Sequence, residues 1–213
     1  MKKIASILMI LLMVCSCSSN DIETTESNNF YALTEGNSWE YKYYVKDNVT
    51  NNFEVTTITE TVNITHTADI DGIIYYNFKH IVVGNDGNTL LPENGEQNFM
   101  LRDSLGFLIN QMGKIKYSNN NYEEHFVSHI DDISFNSYNL KLSNDEDIIT
   151  VDNLGDFYCL DNHYFIRDVN GNQLNSTDHI YREDGKGEIL STLSYASQSE
   201  HFLEKRLEAY TIQ

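Results

Sequence analysis

His125 and His129 stand four residues apart, with Glu123, Glu124, Asp131 and Asp132 close by in sequence. On a strand, positions four apart share a face, so the pair could offer two imidazoles to one metal ion. A zinc site needs three or four ligands converging at fixed geometry, and the sequence specifies no third. The chain has 7 histidines among 32 acidic residues, so such a pair arises readily by chance; no metal and no cofactor is expected. Asp168-Val169-Asn170-Gly171-Asn172 has a passing likeness to a calcium loop. Its glycine, however, comes two positions early and no Glu stands at the twelfth position, so it reads as a turn. Glycoside hydrolysis needs two carboxylates at a set separation across a cleft. With this many acids any pair could be nominated, so no catalytic residue is assigned. G-x-S-x-G, H-E-x-x-H and a phosphate-cradling glycine loop are all missing from the sequence. Tyr41, Tyr43, Tyr44, Tyr75 and Tyr76 could stack against sugars, but aromatics are equally favoured in strands, where they pack in the core and across strands. Asp103-Ser104-Leu105 fits a three-residue acceptor pattern for bacterial O-glycosylation and also reads as a hairpin turn.

The clearest chemistry lies at the amino terminus. Lys2 and Lys3 precede an uninterrupted apolar or small run of 11 residues, Ile4 to Val14. That suits a signal-peptide core and is too short for a spanning helix, which needs about 20 apolar residues. The end of the run resembles a bacterial lipobox, with an aliphatic residue three before a cysteine and a small one directly before it. Cleavage before Cys15 would put the β-branched Val14 at the small position. Cleavage before Cys17 puts Ser16 there and Val14 at the aliphatic one. Cys17 is therefore the expected lipidation site, with residues 1–16 removed. Each buried CH₂ contributes about 0.8 kcal/mol, so several acyl chains anchor firmly where one does not. Ser18, rather than Asp, follows Cys17; by the same resemblance this points to the outer membrane of a Gram-negative bacterium. Asp21 and Glu23 look like the acidic signals that send some lipoproteins to the cell surface. The polar, aperiodic stretch 18–29 reads as a flexible acidic tether.

Composition bounds the rest. A formal charge of −18 repels phosphate backbones, so nucleic acid is an unsuitable partner. The 213 residues, 40% hydrophobic with 14 Tyr and 10 Phe, suffice for a single packed domain over 30–213. One proline leaves the turns to Gly, Asn and Asp. Cys159, left without a partner once Cys15 is removed and Cys17 acylated, reads as a small buried hydrophobe.

These residues must be positioned by strands. Trp39, Tyr41 and Tyr43 alternate with Glu40, Lys42 and Tyr44, a half-buried strand. Phe53 to His66 is strongly β-prone, and its apolar parity flips near Thr56 and Thr57, which predicts a bulge. Asp69-Ile70-Asp71-Gly72 turns the chain into Ile73–Val83. Further strands are expected at 97–102, 107–111, 114–118, 125–135, 148–151, 157–167, 174–181 and 188–195, with Asn170-Gly171 making a hairpin. Leu203, Leu207 and Tyr210 have helical spacing in a helix-favouring composition, so one short helix is possible at the end.

Tyr31-Ala32-Leu33, Gly36-Asn37-Ser38-Trp39-Glu40-Tyr41, Gly155-Asp156-Phe157-Tyr158-Cys159, Gly185-Lys186-Gly187 and Leu207-Glu208-Ala209-Tyr210 form an ordered set. It resembles an uncharacterised family of bacterial surface or periplasmic lipoproteins with a "Y-x-L…G-N-x-W-x-Y" opening. The resemblance implies a strongly bent antiparallel sheet or half-barrel, like that of lipoprotein and lipid carriers, with the last segment a strand. It brings no activity. Ala32 stands where that pattern usually has Pro. The expected function is thus a membrane-anchored, non-enzymatic binding or accessory protein of the cell envelope, taking a lipid, peptide or glycan. The competing readings are a glycan-acting hydrolase and a structural subunit of an envelope complex.

Overall fold

Alternating burial is the rule along most of the chain, and it builds sheet throughout. The computed structural model describes residues 29–130 and 136–213; Cys15, Cys17, the tether up to residue 28, Asp131 and Asp132 lie outside them. The strands are β1 (Ser38–Lys46), β2 (Phe53–Ile70), β3 (Ile73–Val83), β4 (Gly95–Ser104), β5 (Phe107–Asn110), β6 (Ile115–Ser118), β7 (His125–His129), β8 (Ser137–Val151), β9 (Gly155–Arg167), β10 (Gln173–Glu183), β11 (Gly187–Ser194) and β12 (His201–Thr211). They form one 12-stranded sheet in the order β6-β5-β4-β3-β2-β1-β12-β11-β10-β9-β8-β7. Every pairing is antiparallel.

The order is two meanders, β1–β6 and β7–β12, joined where β1 pairs with β12 (Trp39 opposite Tyr210). The sheet curls until its far ends meet, and side chains close the seam. Asn162 on β9 clasps β6 through both amide atoms: the Ser118 N–H donates to Oδ1 and Nδ2 donates to the Ser118 carbonyl, each at 2.8 Å. The Tyr117 hydroxyl donates to the Leu160 carbonyl at 2.5 Å, and that of Tyr164 to the Lys116 carbonyl at 2.6 Å. The result is a nearly closed barrel.

The expected bulge on β2 is present: the register against β1 shifts between Lys42 and Tyr44, whose neighbours on β2 are Thr59 and Val55. The turn at Asp71-Gly72 has φ of 54° and 79°, the left-handed pair a tight hairpin requires. No helix occurs among the described residues, so the helical reading of the last segment is overturned. Leu203 and Leu207 are four apart, a spacing alternate strand positions also give. A register shift opposite Glu40/Tyr41 supplies the odd step to Tyr210. Ladders to β1 and β11 on both sides then outweigh helix propensity, a weak preference of under about 0.7 kcal/mol per residue. β8 also begins eleven residues before the expected Ile148.

One end of the barrel is plugged by its first described residues. Phe30, Tyr31 and Ala32 are buried. The Tyr31 hydroxyl donates to the Gly106 carbonyl at 2.5 Å, and Phe30 stacks on Tyr117 at 6.0 Å.

Candidate functional site

The segments of the opening, middle and closing motifs meet in space. Trp39, 2% exposed, donates its indole N–H to the Lys186 carbonyl at 2.6 Å. Phe157 lies edge-on to Tyr210 at 6.1 Å, and Lys186 Nζ sits 5.1 Å above the Phe157 ring. Asn37, fully buried, donates Nδ2 to the Ala32 carbonyl at 2.7 Å and accepts the Gln213 N–H at 2.8 Å. These roles position the strands; none presents a reactive group. Cys159 is buried in the same cluster, and the burial of its thiol, aided by Glu183 and Asp147, pushes its pKa up to about 12.

Inside the barrel, next to Trp39, lies a cavity of about 350 Å³. Its walls are apolar and aromatic: Trp39, Val62, Phe78, Phe99, Leu101 and Leu108. Lys116, Tyr164 and Ile180, exposed or half-buried, line it where β6 meets β9. The charged lining is Lys116, Arg182, Lys205 and Glu188, with His80. Three cationic side chains therefore line the cavity beside Glu188, with Glu60 next to it behind Lys205.

Lys205, on β12, is the hub. Its Nζ lies 2.8 Å from Glu188 Oε1 and 3.6 Å from Glu60 Oε2, and 4.6 Å above the ring of Tyr41. Burial would lower its pKa, but Glu188 and Glu60 together hold it above the ordinary lysine value. Glu60 also accepts from the Tyr43 hydroxyl at 2.6 Å and contacts His80 Nδ1 at 2.5 Å. Burial pushes its carboxyl up, yet Lys205, His80 and Tyr43 outweigh that and keep it below the usual carboxylate range. Glu188 likewise is raised by burial and brought down further by Lys205 and Arg182. Arg182 reaches Glu188 Oε2 at 3.4 Å and covers the Tyr117 ring at 5.4 Å, while its buried Nε has no hydrogen-bond partner.

A glycosidase acid must hold its proton near neutral pH, so its pKa is raised. Both interior carboxylates are shifted the opposite way, and each is engaged by cations. The cavity instead offers an apolar chamber with unspent positive charge.

The other sequence candidates sit elsewhere. His125 packs edge-on against Phe107 at 4.9 Å, and His129 against Phe126 at 5.0 Å. Glu124 is taken by a two-pronged ion pair with Arg167, at 2.6 and 2.5 Å. Tyr41, Tyr43 and Tyr75 are buried and Tyr44 and Tyr76 half-buried, so these five form no exposed sugar-stacking row. Asp103-Ser104-Leu105 is the β4–β5 turn, with Leu105 at φ 56°. Asp168 closes its turn by accepting the backbone N–H groups of Asn170 and Asn172.

The interior charges were missed because Glu60, Arg182, Glu188 and Lys205 come from four strands and look in sequence like any solvated charge. The one usable signal was Lys205 standing between Leu203 and Leu207 on alternate positions.

No family model matches this chain, and no curated protein matches it in sequence. Two solved structures share its fold. One is a Bacteroides fragilis protein inferred to be exported, with a YmcC-like fold: TM-score 0.50, 12% identity, covering 86% of this chain and 99% of the other. The other is an inferred lipoprotein of Parabacteroides distasonis: TM-score 0.51, 12% identity and the same coverages. At this identity the likeness defines the class of fold, a YmcC-like antiparallel β barrel.

Proposed function

We propose that this chain is an exported lipoprotein, cut before Cys17 and acylated there, that stands on the outer membrane of a Gram-negative envelope. Its barrel binds a small ligand that is apolar over most of its surface and carries one anionic group. The observation that carries the reading is the cavity: apolar walls of a volume typical for small-molecule sites, with Lys116 and the half-satisfied Arg182 in its lining. Charge-assisted hydrogen bonds from such groups are the strong ones, and guanidinium matches a carboxylate in geometry. The descriptions of the two similar structures, one exported and one a lipoprotein, agree with the Ile4–Cys17 pattern.

Two measurements test it. Octanoate should bind the protein in calorimetry and octanol at least about ten-fold more weakly, a difference of about 1.4 kcal/mol. Arg182→Gln should bring octanoate down to the level of octanol. Equal binding of both, or of neither, would sink the ligand class. For the anchor, Cys17→Ala should abolish labelling by a fatty-acid probe while Cys15→Ala remains labelled and membrane-bound. Labelling of Cys17→Ala at the wild-type level would overturn it.

A further inference from the structure

Strand alternation puts a second polar group on the other face of β9. Asn162 and Tyr164 point to β6, so Asp161 and His163 face away from it. β10 sets His179 directly opposite His163 and Tyr181 opposite Asp161. Opposed residues on antiparallel strands have Cβ atoms about 5 Å apart, close enough for two imidazoles to share one partner. They do. Asp161 Oδ2 lies 2.7 Å from His163 Nε2 and 2.8 Å from His179 Nδ1. The two rings are 4.7 Å apart at 67°, and Tyr181 stacks parallel on His179 at 5.7 Å.

One carboxylate oxygen and two imidazole nitrogens thus lie within 4.8 Å of one another. Asp161 is 2% exposed, and its second oxygen, Oδ1, is buried with no hydrogen-bond partner. An orphaned buried acceptor of this kind costs about 1–3 kcal/mol, more when charged. A carboxylate so placed, with one oxygen doubly engaged and the other empty, is short of positive charge. His163 and His179 are half-buried, with side-chain exposures of 37% and 27%, so the group is reachable from solvent.

We propose that Asp161, His163 and His179 bind a divalent transition-metal ion, with zinc the natural occupant. Two imidazoles and one carboxylate with an open fourth position are a recurrent zinc donor set, with bonds of about 2.0–2.2 Å. Imidazole also selects against calcium and magnesium, which take oxygen ligands. The nitrogen–oxygen separations need to widen by only about half an ångström to become the edges of such a tetrahedron. The site lies apart from the interior cavity, so it does not depend on what the cavity binds.

The untagged full chain, stripped with chelator, should take up one equivalent of zinc in calorimetry. His163→Gln and His179→Gln should each weaken uptake at least ten-fold, whereas the His125→Gln/His129→Gln double variant should bind as wild type. In the wild-type protein, imidazole ¹⁵N spectra should shift on zinc addition at His163 and His179, which keeps the test independent of how the variants fold. Absence of uptake, or uptake unchanged in His163→Gln and His179→Gln, overturns the proposal. So does a shift confined to other histidines.

Discussion

The indole N–H of Trp39 donates to the Lys186 carbonyl at 2.6 Å, and the ring lies so close to Gly187 that a Cβ there would come within 2.8 Å of Nε1. Gly187 also has φ 94°, a conformation open to glycine and costly for other residues. Two motifs 147 positions apart are therefore one packing unit.

That unit makes a stability prediction. Trp39→Ala should lose about 3–5 kcal/mol in urea unfolding, the usual cost of emptying a large aromatic site. Gly187→Ala should also destabilise, through both clash and backbone strain. Because Trp39→Ala removes the clash and leaves the strain, the double variant should lose less than the two single losses combined. Simple additivity would mean the ring and the glycine do not press on each other.

Lys205→Met should cost about 3–5 kcal/mol at neutral pH, since it leaves Glu188 and Glu60 buried with less compensation. The pH dependence has a definite sign. In the wild type both carboxyls are held below their ordinary value of 4.5. The stability they contribute is present above that pH and lost as the pH falls through their folded values. In the variant, burial acts with less opposition and favours their protonated forms. The stability gap between wild type and Lys205→Met should therefore narrow as the pH falls from 7 to 4, which denaturant titrations at several pH values would read. A gap that stays constant would mean the lysine is not what keeps these groups charged.

Ala32→Pro should destabilise the protein by about 3 kcal/mol or more. Ala32 has φ 52° and donates its N–H to the Asn29 carbonyl at 2.8 Å. Proline fixes φ near −65° and has no N–H to give. An unchanged melting temperature would show that the opening turn tolerates the other hand.

Cys159 should resist thiol reagents in the native protein and react at once on unfolding. Its thiol is buried and shifted to about 12, and the thiolate is the reactive form. Labelling as fast as that of free cysteine would contradict the buried placement.

Much of this architecture was legible. Period-two alternation located most strands, parity near Thr56 and Thr57 located a bulge, and Asp-Gly and Asn-Gly pairs located turns. Local chemistry decides those features. Four things were not legible. The early half of β8 is interrupted by Asn144, Asp145, Glu146 and Asp147 across a register shift, which in sequence looks like a loop. β12 carries helix-favouring residues and is held as a strand by neighbours on both sides. The Asp161, His163 and His179 group depends on pairing between β9 and β10, although Asp161-x-His163 on one arm of the expected Asn170-Gly171 hairpin and His179 on the other was a readable clue. The interior ion cluster needed the whole barrel, because its members meet only once β2, β10, β11 and β12 curl together.

The junction of β1 with β12 has a consequence for how the protein is made. β12, the last of the described strands in sequence, lies in the middle of the sheet, between β1 and β11. Until it is synthesised, the first meander ends at an open β1 edge and the second at an open β11 edge, and Glu60 and Glu188 wait without their lysine. The slow step of folding is therefore expected to be this late pairing, because it alone joins strands far apart in sequence, with Trp39 opposite Tyr210. A chain without β12 would lose the joint between its halves along with Lys205, the cation set between Glu60 and Glu188.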